Sequence, residues 1–142
     1  MTEIRPARPD DAAPCAAMVN AWIDATDWHP RLHTHDAVAR FYRETVWATR
    51  EVLVAGDPPT GFIAISTDQY VTACYASPPV QGTGTALMRA AQRERKAMFL
   101  WTHVPNVAAQ AFYAKMGFTE VRRTNGDNEE RVPDILFQWG EG

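Results

Sequence analysis

The sequence has little cysteine, no long apolar run and no block of like charges. Its two cysteines, Cys15 and Cys74, fit no CxxC pair and no Cys/His zinc spacing. They could form one disulfide, but a reduced cytosolic protein is the better interpretation. The apolar stretch from Ala12 to Ile23 is interrupted by Asn20 and is too short to span a bilayer. The amino-terminal residues also lack the apolar segment of a signal peptide, so we expect a cytoplasmic protein.

An excess of basic residues is also missing. The chain has 14 Lys and Arg against 17 Asp and Glu, which gives a net charge of −3. This balance argues against nucleic acid or an anionic membrane as partners. No repeat or Ser/Gly-rich linker divides the sequence, and 46% of its residues are hydrophobic, so we expect one domain over residues 1–142. A chain of this length buries enough surface to hold a core without metal or disulfide.

Strand and helix patterns alternate along the chain. Alternating apolar and polar residues, bounded by turn residues, predict strands at residues 3–7, 51–55, 61–66, 70–76, 98–102, 118–124 and 135–139. Helical spacing predicts helices at about residues 12–25, 38–46, 84–96 and 106–116, with Asp10 or Asp11 as the N-cap of the first. The fold class is therefore α/β (α+β): a mixed, partly antiparallel central sheet of six to seven strands, flanked by about four helices.

A glycine-rich segment, Gln81-Gly82-Thr83-Gly84-Thr85-Ala86, stands between a predicted strand and a predicted helix. The two glycines allow a ligand to approach the main chain, and the small alanine allows close packing of the first helical turn. The free N–H groups of that turn suit an anion such as pyrophosphate. The segment lacks the ending of a Walker loop and the third glycine of a Rossmann fingerprint. An ordinary glycine-containing start of a helix is the alternative.

The helix predicted at residues 106–116 has a polar stripe. Asn106 and Tyr113 are seven residues apart, which brings them to one face with the small Ala109 between them. Asn106 could instead serve only as the N-cap of this helix, and Tyr113 could be one more half-buried aromatic. The predicted core face of the helix consists of Ala108, Ala111, Phe112 and Met116.

The two segments together resemble the GNAT superfamily of acyl-CoA-dependent N-acetyltransferases. The first motif is Gln-x-x-Gly-x-Ala at Gln81, Gly84 and Ala86. The second is Asn-x-x-Ala-x-x-Phe-Tyr-x-x-x-Gly-Phe, which runs here from Asn106 to Phe118. The order of predicted elements follows the family over nearly the whole chain. The resemblance implies an acyltransferase that uses acetyl-CoA and no metal, similar to small bacterial members without an assigned substrate.

The resemblance also implies roles for particular residues. The backbone of Cys74 and Ala76 would bind the pantetheine arm, and Asn106 would contact the same arm. The amides of Gln81, Gly82, Thr83, Gly84, Thr85 and Ala86 would hold the pyrophosphate. The Tyr113 hydroxyl would face the thioester sulfur, so that Tyr113 and Asn106 form the catalytic set. Thr83 stands where many relatives carry Arg or Lys, so one cation that would meet the phosphates is missing.

Acetyl transfer needs a neutral amine and a stabilised thiolate. A lysine-like amine is neutral only about one time in 2,500 at pH 7, so its proton must go to a base or to water. Asp68, Glu51 and the histidines are candidate bases. Tyr113 is a weaker acid than a thiol at the reference pKa values. It could therefore donate a hydrogen bond to the developing thiolate, or the site could lower its pKa.

Three of the four histidines, His29, His33 and His35, fall between the first two predicted helices. In the family this connection borders the acceptor pocket, so these histidines and Asp68 are candidate acceptor contacts. The segment could equally be a polar loop in which Thr34 or Asp36 caps the second helix. Zinc binding is less favoured because His-x-His lacks the remaining ligands.

Residues 127–134 carry four acids and one Arg. They could form a solvated hairpin tip or an acidic rim that attracts a cationic amine.

The favoured function is an N-acetyltransferase that acts on a primary amine of a small molecule or peptide. The alternative is a module that binds acyl-CoA without turnover. A third hypothesis, a longer acyl donor, depends on space near Ile65, Tyr70 and Phe112. Exposed aromatics among the tryptophans could also support a homodimer.

Overall fold

A computed structural model describes residues 3–76 and 82–141. The elements in these residues are β1 (Ile4–Pro6), a 3-10 turn (Pro9–Asp11), α1 (Ala12–Ala25), α2 (His35–Phe41), a π-helical segment (Tyr42–Val46), α3 (Trp47–Thr49), β2 (Glu51–Ala55), β3 (Gly61–Ile65), β4 (Val71–Ala76), α4 (Thr83–Arg93), β5 (Ala97–His103), α5 (Val107–Lys115), β6 (Thr119–Thr124) and β7 (Asp134–Gly140). The helix α2, the π-helical segment and α3 are continuous and form one helical unit, which corresponds to the second predicted helix. The predicted order of elements is therefore confirmed. None of these helices has the length and apolar character needed to cross a membrane.

The strands form two antiparallel sheets rather than one continuous sheet. The first has the order β1-β2-β3-β4, and the second has the order β5-β7-β6. A single parallel bridge between Tyr70 and Phe99 joins them, with the Phe99 amide 3.0 Å from the Gln69 carbonyl. Beyond this bridge, no ladder pair connects β4 to β5 in the described part of the chain. The two strands therefore separate toward their carboxyl ends and leave a wedge between the sheets.

Helices cover both faces of the first sheet. All five residues of β3 are buried, because the strand lies in the middle of its sheet and has a core on each face. Phe62 and Ala64 pack against α1 and the π segment, whereas Ile63 and Ile65 pack against α4 and the second sheet. This arrangement explains why the β3 sequence is apolar throughout instead of alternating.

A bulge in β4 changes which side chains face the wedge. The register of β3 and β4 shifts at Ala64/Ile65, so that Thr72 is an extra residue. As a result Val71 and Cys74 pack on the α4 side of the sheet, although they are three residues apart. Tyr75 packs on the opposite side, in the cluster that contains α1. Simple two-residue alternation does not predict this placement.

Asp11 occupies the N-cap position of α1, as the sequence predicted, but its side chain does not cap the helix. Its backbone is helical and its carboxylate makes no cap hydrogen bond to α1. The carboxylate instead accepts from both terminal nitrogens of Arg5, at 2.8 and 3.1 Å, and from the Arg8 backbone N–H at 2.7 Å. A second predicted cap is confirmed: Thr34 accepts a hydrogen bond from the Ala37 amide at the start of α2.

Gly61 permits close contact between β3 and the first turn of α4. A Cβ atom at Gly61 would lie 2.8 Å from Thr83 Cγ2 and 2.9 Å from the Tyr75 carbonyl oxygen. We therefore expect Gly61→Ala to lower the free energy of unfolding by about 2 kcal/mol, a typical cost of overpacking. Urea denaturation measures this change. Gly84→Ala is the matched control, because its Cβ would meet only Phe112 at an ordinary 3.4 Å. An equal loss in both variants would contradict the role given to Gly61.

Candidate active site

A cleft with a volume of about 450 Å³ lies in the wedge between β4 and β5. One wall is β4, the other is the end of β5, and α5 lies across them. The residues that line it are Trp22, His29, residues 71–76, Gly84, residues 101–103, Asn106, Ala108, Ala109, Phe112 and Tyr113. The structure thus brings together Cys74 and Ala76, named from the end of a predicted strand, and Asn106 and Tyr113, named from the helical motif.

The N-terminus of α4 lies beside this cleft. Gly82 occupies the N-cap position with a φ of 101°, which glycine adopts without strain, and no side chain caps the helix. Gly84 lines the cleft, and Thr85 and Ala86 complete the first turn. Thr83 is buried against Gly61, so its side chain faces the core. Gln81 lies outside the described residues.

The prediction of which face of α5 packs against the core is wrong in part. Ala108 and Ala111 are exposed, and Ala108 and Phe112 line the cleft together with the polar stripe. The helix packs through Phe112, Tyr113 and Met116, because it rests on the edge of the core rather than over its centre. The side-chain oxygen of Asn106 accepts the Ala109 amide at 3.1 Å, so Asn106 is the N-cap of α5 and also borders the cleft.

Tyr113 is a poor proton donor in this cleft. Burial, followed by the neighbouring Cys74 and Tyr75, raises the pKa of Tyr113 above its ordinary value. The alternative in which the site lowers this pKa is therefore wrong. Burial also raises the pKa of the Cys74 thiol to about 12, so this cysteine stays protonated and is not a nucleophile at neutral pH. The Tyr113 hydroxyl can donate a hydrogen bond across the whole physiological range.

Most of the predicted acceptor contacts lie away from the cleft. His33 is exposed and pairs with Glu129, while His35 is exposed and pairs with Asp24. Asp68 is exposed in the turn between β3 and β4, where it accepts a hydrogen bond from Ser66. That turn precedes the bridge at Tyr70, at the closed end of the wedge.

Glu51, the other carboxylate considered as a base, pairs with Arg95 and does not line the cleft. Among these predicted candidates, the structure places only His29 in it. His29 follows α1 and packs edge-on against Trp22, with 5.2 Å between ring centroids.

His103, the fourth histidine, lies at the centre of the site, and the sequence reading did not select it. It ends β5 and lines the cleft. Its Nε2 atom is 3.1 Å from Oε1 of Glu130, and its ring centroid is 5.3 Å from that of His29. The available signal was position: a helix connects β4 to β5, and this connection is typical of parallel strands, whose carboxyl ends lie at the same edge of a fold.

A second depression adjoins the cleft at the end of β5, where Trp101, Thr102 and His103 line both. Its volume is about 430 Å³, and its lining residues are Trp101, Thr102, His103, Asp127, Asn128, Glu130 and Asp134. Three of these residues carry carboxylates, and no Lys or Arg lines it in the described part of the chain. The acidic segment 127–134 thus forms a wall beside the cleft as well as a loop between strands.

The ligand atoms of His29, His103 and Glu130 all lie within 4.8 Å of one another. Two imidazoles and a carboxylate are donors that zinc accepts. The hydrogen bond between His103 and Glu130 accounts for their contact without an ion.

Comparison with known proteins agrees with this geometry. No curated protein sequence matches the chain significantly. Among solved structures, apo YjaB from Escherichia coli is 25% identical, with a TM-score of 0.78 and 99% of each chain covered. Two further structures share the fold. The acetyl-CoA complex of yncA from Salmonella typhimurium is 21% identical, with a TM-score of 0.69 over 99% of this chain and 94% of that one. Ribosomal-protein-alanine N-acetyltransferase from Brucella melitensis is 17% identical, with a TM-score of 0.75 over 98% of this chain and 99% of that one.

The model of the acetyltransferase (GNAT) family matches residues 15–118. The match begins in α1 and ends just before β6, so it includes both walls of the cleft, α4 and α5. The chain therefore belongs to the acetyltransferase (GNAT) family and is an acyltransferase.

Proposed function

We propose that the chain, acting as one domain, transfers an acetyl group from acetyl-CoA to a primary amine of a small molecule or peptide by direct attack. The observation that carries the proposal is the wedge between β4 and β5. An uncapped helix N-terminus lies beside this wedge, and a half-buried tyrosine, Tyr113, lines it. Acetyl-CoA supplies the activated acetyl group, and the chain binds and orients it.

The start of α4 fits a pyrophosphate. Its uncapped N–H groups and the positive end of the helix dipole attract an anion. A Cβ atom at Gly82 would meet nothing within 4 Å among the described residues, so there is room for a ligand at the backbone. Because Thr83 faces the core, this site relies on backbone amides rather than on a basic side chain.

The free edge of β4 fits an extended amide-containing arm. Beyond the bridge at Tyr70, the backbone of Cys74 and Ala76 faces β5 without a ladder pair, so its polar groups can bind the pantetheine amides. The amide nitrogen of Asn106 remains available as a donor, since its oxygen caps α5. Tyr113 then donates a hydrogen bond to the sulfur as negative charge develops on it.

The closed end of the wedge favours a short acyl group. Tyr70 packs on Phe99 with 5.4 Å between ring centroids, directly at the bridge. Ile65 is 1% exposed and does not line the cleft. Of the three positions considered for a longer chain, only Phe112 lines the cleft, which supports acetyl as the donor group.

The family and the neighbouring structures support the same reaction. The yncA structure contains acetyl-CoA, and the Brucella melitensis relative acetylates a protein alanine according to its name. Aromatic side chains and carboxylates around the acceptor side suit a cationic amine, because ring faces and acidic groups both attract positive charge.

Release of free CoA thiol from acetyl-CoA tests the proposal. The acceptor panel contains polyamines, amino acids, aromatic amines and lysine-containing peptides, and acetyl-CoA affinity is measured in parallel by calorimetry. Acceptor-dependent thiol release identifies the amine class. Tight acetyl-CoA binding without thiol release for any acceptor would favour a module that binds acyl-CoA without turnover. Absence of acetyl-CoA binding would mean that the start of α4 is an ordinary helix N-terminus and not a pyrophosphate site.

A further inference from the structure

We propose that His103, held by Glu130, is the general base that removes a proton from the acceptor amine. The proposal rests on the proposed function, because it assigns a residue to the amine side of the same reaction. It concerns the side chain at the end of β5, which lies between the cleft and the acidic depression.

The hydrogen bond to Glu130 fixes the state of the His103 ring. A carboxylate only accepts hydrogen bonds, so the proton of the neutral imidazole must lie on Nε2, which is 3.1 Å from Glu130 Oε1. Nδ1 therefore keeps its lone pair and can take a proton. Once it does, the carboxylate stabilises the imidazolium, as a carboxylate does in hydrolase triads.

The pair is shielded from solvent, in contrast to a second His–Glu pair in the chain. The side chains of His103 and Glu130 are 20% and 23% exposed. His33 and Glu129 have the same N–O distance of 3.1 Å, but their side chains are 56% and 63% exposed. A charge interaction is stronger where water is partly excluded, so only the inner pair is placed to assist catalysis.

His29 lies beside His103, with ligand atoms of the two rings within 4.8 Å of each other. Its Nδ1 atom lies 3.0 Å from the Pro30 carbonyl oxygen, so Nδ1 carries the proton and Nε2 is free to accept one. Burial, followed by the charge of neighbouring His103, lowers the pKa of His29, which therefore stays neutral near pH 7 and holds a proton only briefly. The other titratable groups around this pair are Glu130, Asp127, Asp134, Cys74, Tyr75 and Tyr113.

The position of His103 matches the path of the amine. His103 lines both the acidic depression, whose carboxylates attract an ammonium group, and the cleft that contains Tyr113. The ammonium gives one proton to His103 Nδ1 and becomes a neutral amine. The nitrogen then bonds to the acyl carbon as the C–S bond breaks. The second proton leaves that nitrogen and ends on the CoA thiol, and His103 releases its proton to solvent.

The test measures kcat/KM for the best acceptor from pH 5.5 to 10 in wild type and in His103→Gln. We expect a loss of about 100-fold at pH 7, in the range usual for general base catalysis. The variant should recover as pH rises, because the free-amine fraction then grows by itself toward the amine pKa. Glu130→Gln should lose about tenfold, since it keeps an acceptor but removes the charge. Acetyl-CoA affinity should be unchanged in both variants, which also shows that they are folded.

The controls are His33→Gln and Glu129→Gln, which disrupt the exposed pair of the same geometry and should keep wild-type rates. Exogenous imidazole should restore activity to His103→Ala. A wild-type rate and pH profile in His103→Gln would overturn the proposal, while leaving the proposed function intact. Loss of wild-type activity in a chelator, with recovery on added Zn²⁺, would also overturn it, because the ring would then be a metal ligand. Absence of acetyl transfer in wild type would overturn the proposed function itself.

Discussion

Replacing Tyr113 with phenylalanine should lower kcat by a factor on the order of 10²–10³ and leave the acetyl-CoA dissociation constant within about twofold of wild type. Losing one donor from a site that stabilises developing charge has this effect in other enzymes. The hydroxyl should act only when negative charge forms on sulfur, so the ground-state complex barely needs it. Stopped assays of thiol release and calorimetric titration with acetyl-CoA measure the two quantities separately.

The pH dependence adds a second check on Tyr113. Because burial raises the pKa of Tyr113, its phenol stays protonated through pH 9, and kcat should show no fall there from its ionisation. Tyr70→Phe is the matched control, since it removes the same atom from a tyrosine that packs on Phe99 and does not line the cleft. Equal losses in both variants would mean that phenol removal acts through packing and not through the sulfur.

Replacing Asp11 with alanine should lower the free energy of unfolding by about 3 kcal/mol, measured by urea denaturation at pH 7. Asp11 is 4% exposed, and its carboxylate accepts hydrogen bonds from both terminal nitrogens of Arg5, whose side chain is 14% exposed. Without the carboxylate, the largely buried guanidinium loses two hydrogen bonds and the Arg8 amide loses its acceptor. The Gly56 carbonyl, 3.0 Å from an Arg5 terminal nitrogen, and the exposed Asp57 carboxylate, 3.7 Å away, would remain as partners, but the buried Arg5 Nε atom already has none among the described residues.

The same pair should make the protein sensitive to acid. The hydrogen bonds from Arg5 lower the pKa of Asp11 in the folded state. Its stabilising contribution is therefore complete above the unfolded carboxylate pKa of about 4, and it is lost as the pH falls through the lower folded value. Wild type should lose stability below about pH 4 more steeply than Asp11→Ala does. Parallel denaturation curves at pH 7 and pH 3 measure the difference.

Glu120→Ala is the comparison that separates burial from charge pairing. Glu120 also binds an arginine through two hydrogen bonds, at 2.9 and 3.0 Å from Arg123, but the two side chains are 43% and 52% exposed. Exposed pairs of this kind contribute little to stability, because water screens the charges. A similar loss in both variants would contradict the importance given to burial at Asp11.

The sequence by itself predicted the order of strands and helices, because alternation, helical spacing and turn residues act over a few neighbours. It also predicted the uncapped glycine start of α4 and the stripe on α5 that carries Asn106 and Tyr113. These features depend on backbone geometry within one turn. The motifs that join them led to the family, which the match over residues 15–118 shows.

Only the tertiary structure decided which side chains share the cleft. The bulge at Thr72 reverses the facing of the rest of β4, and a pattern of period two contains no sign of it. His103 contacts Glu130, which is 27 residues away in the sequence, and it packs near His29, which is farther away still. These contacts form because β5 diverges from β4 and β7 pairs with β5. The sequence therefore indicated His33, His35 and Asp68 by local composition. Long-range strand pairing, which no short window records, placed His103 where the acidic depression and the cleft adjoin.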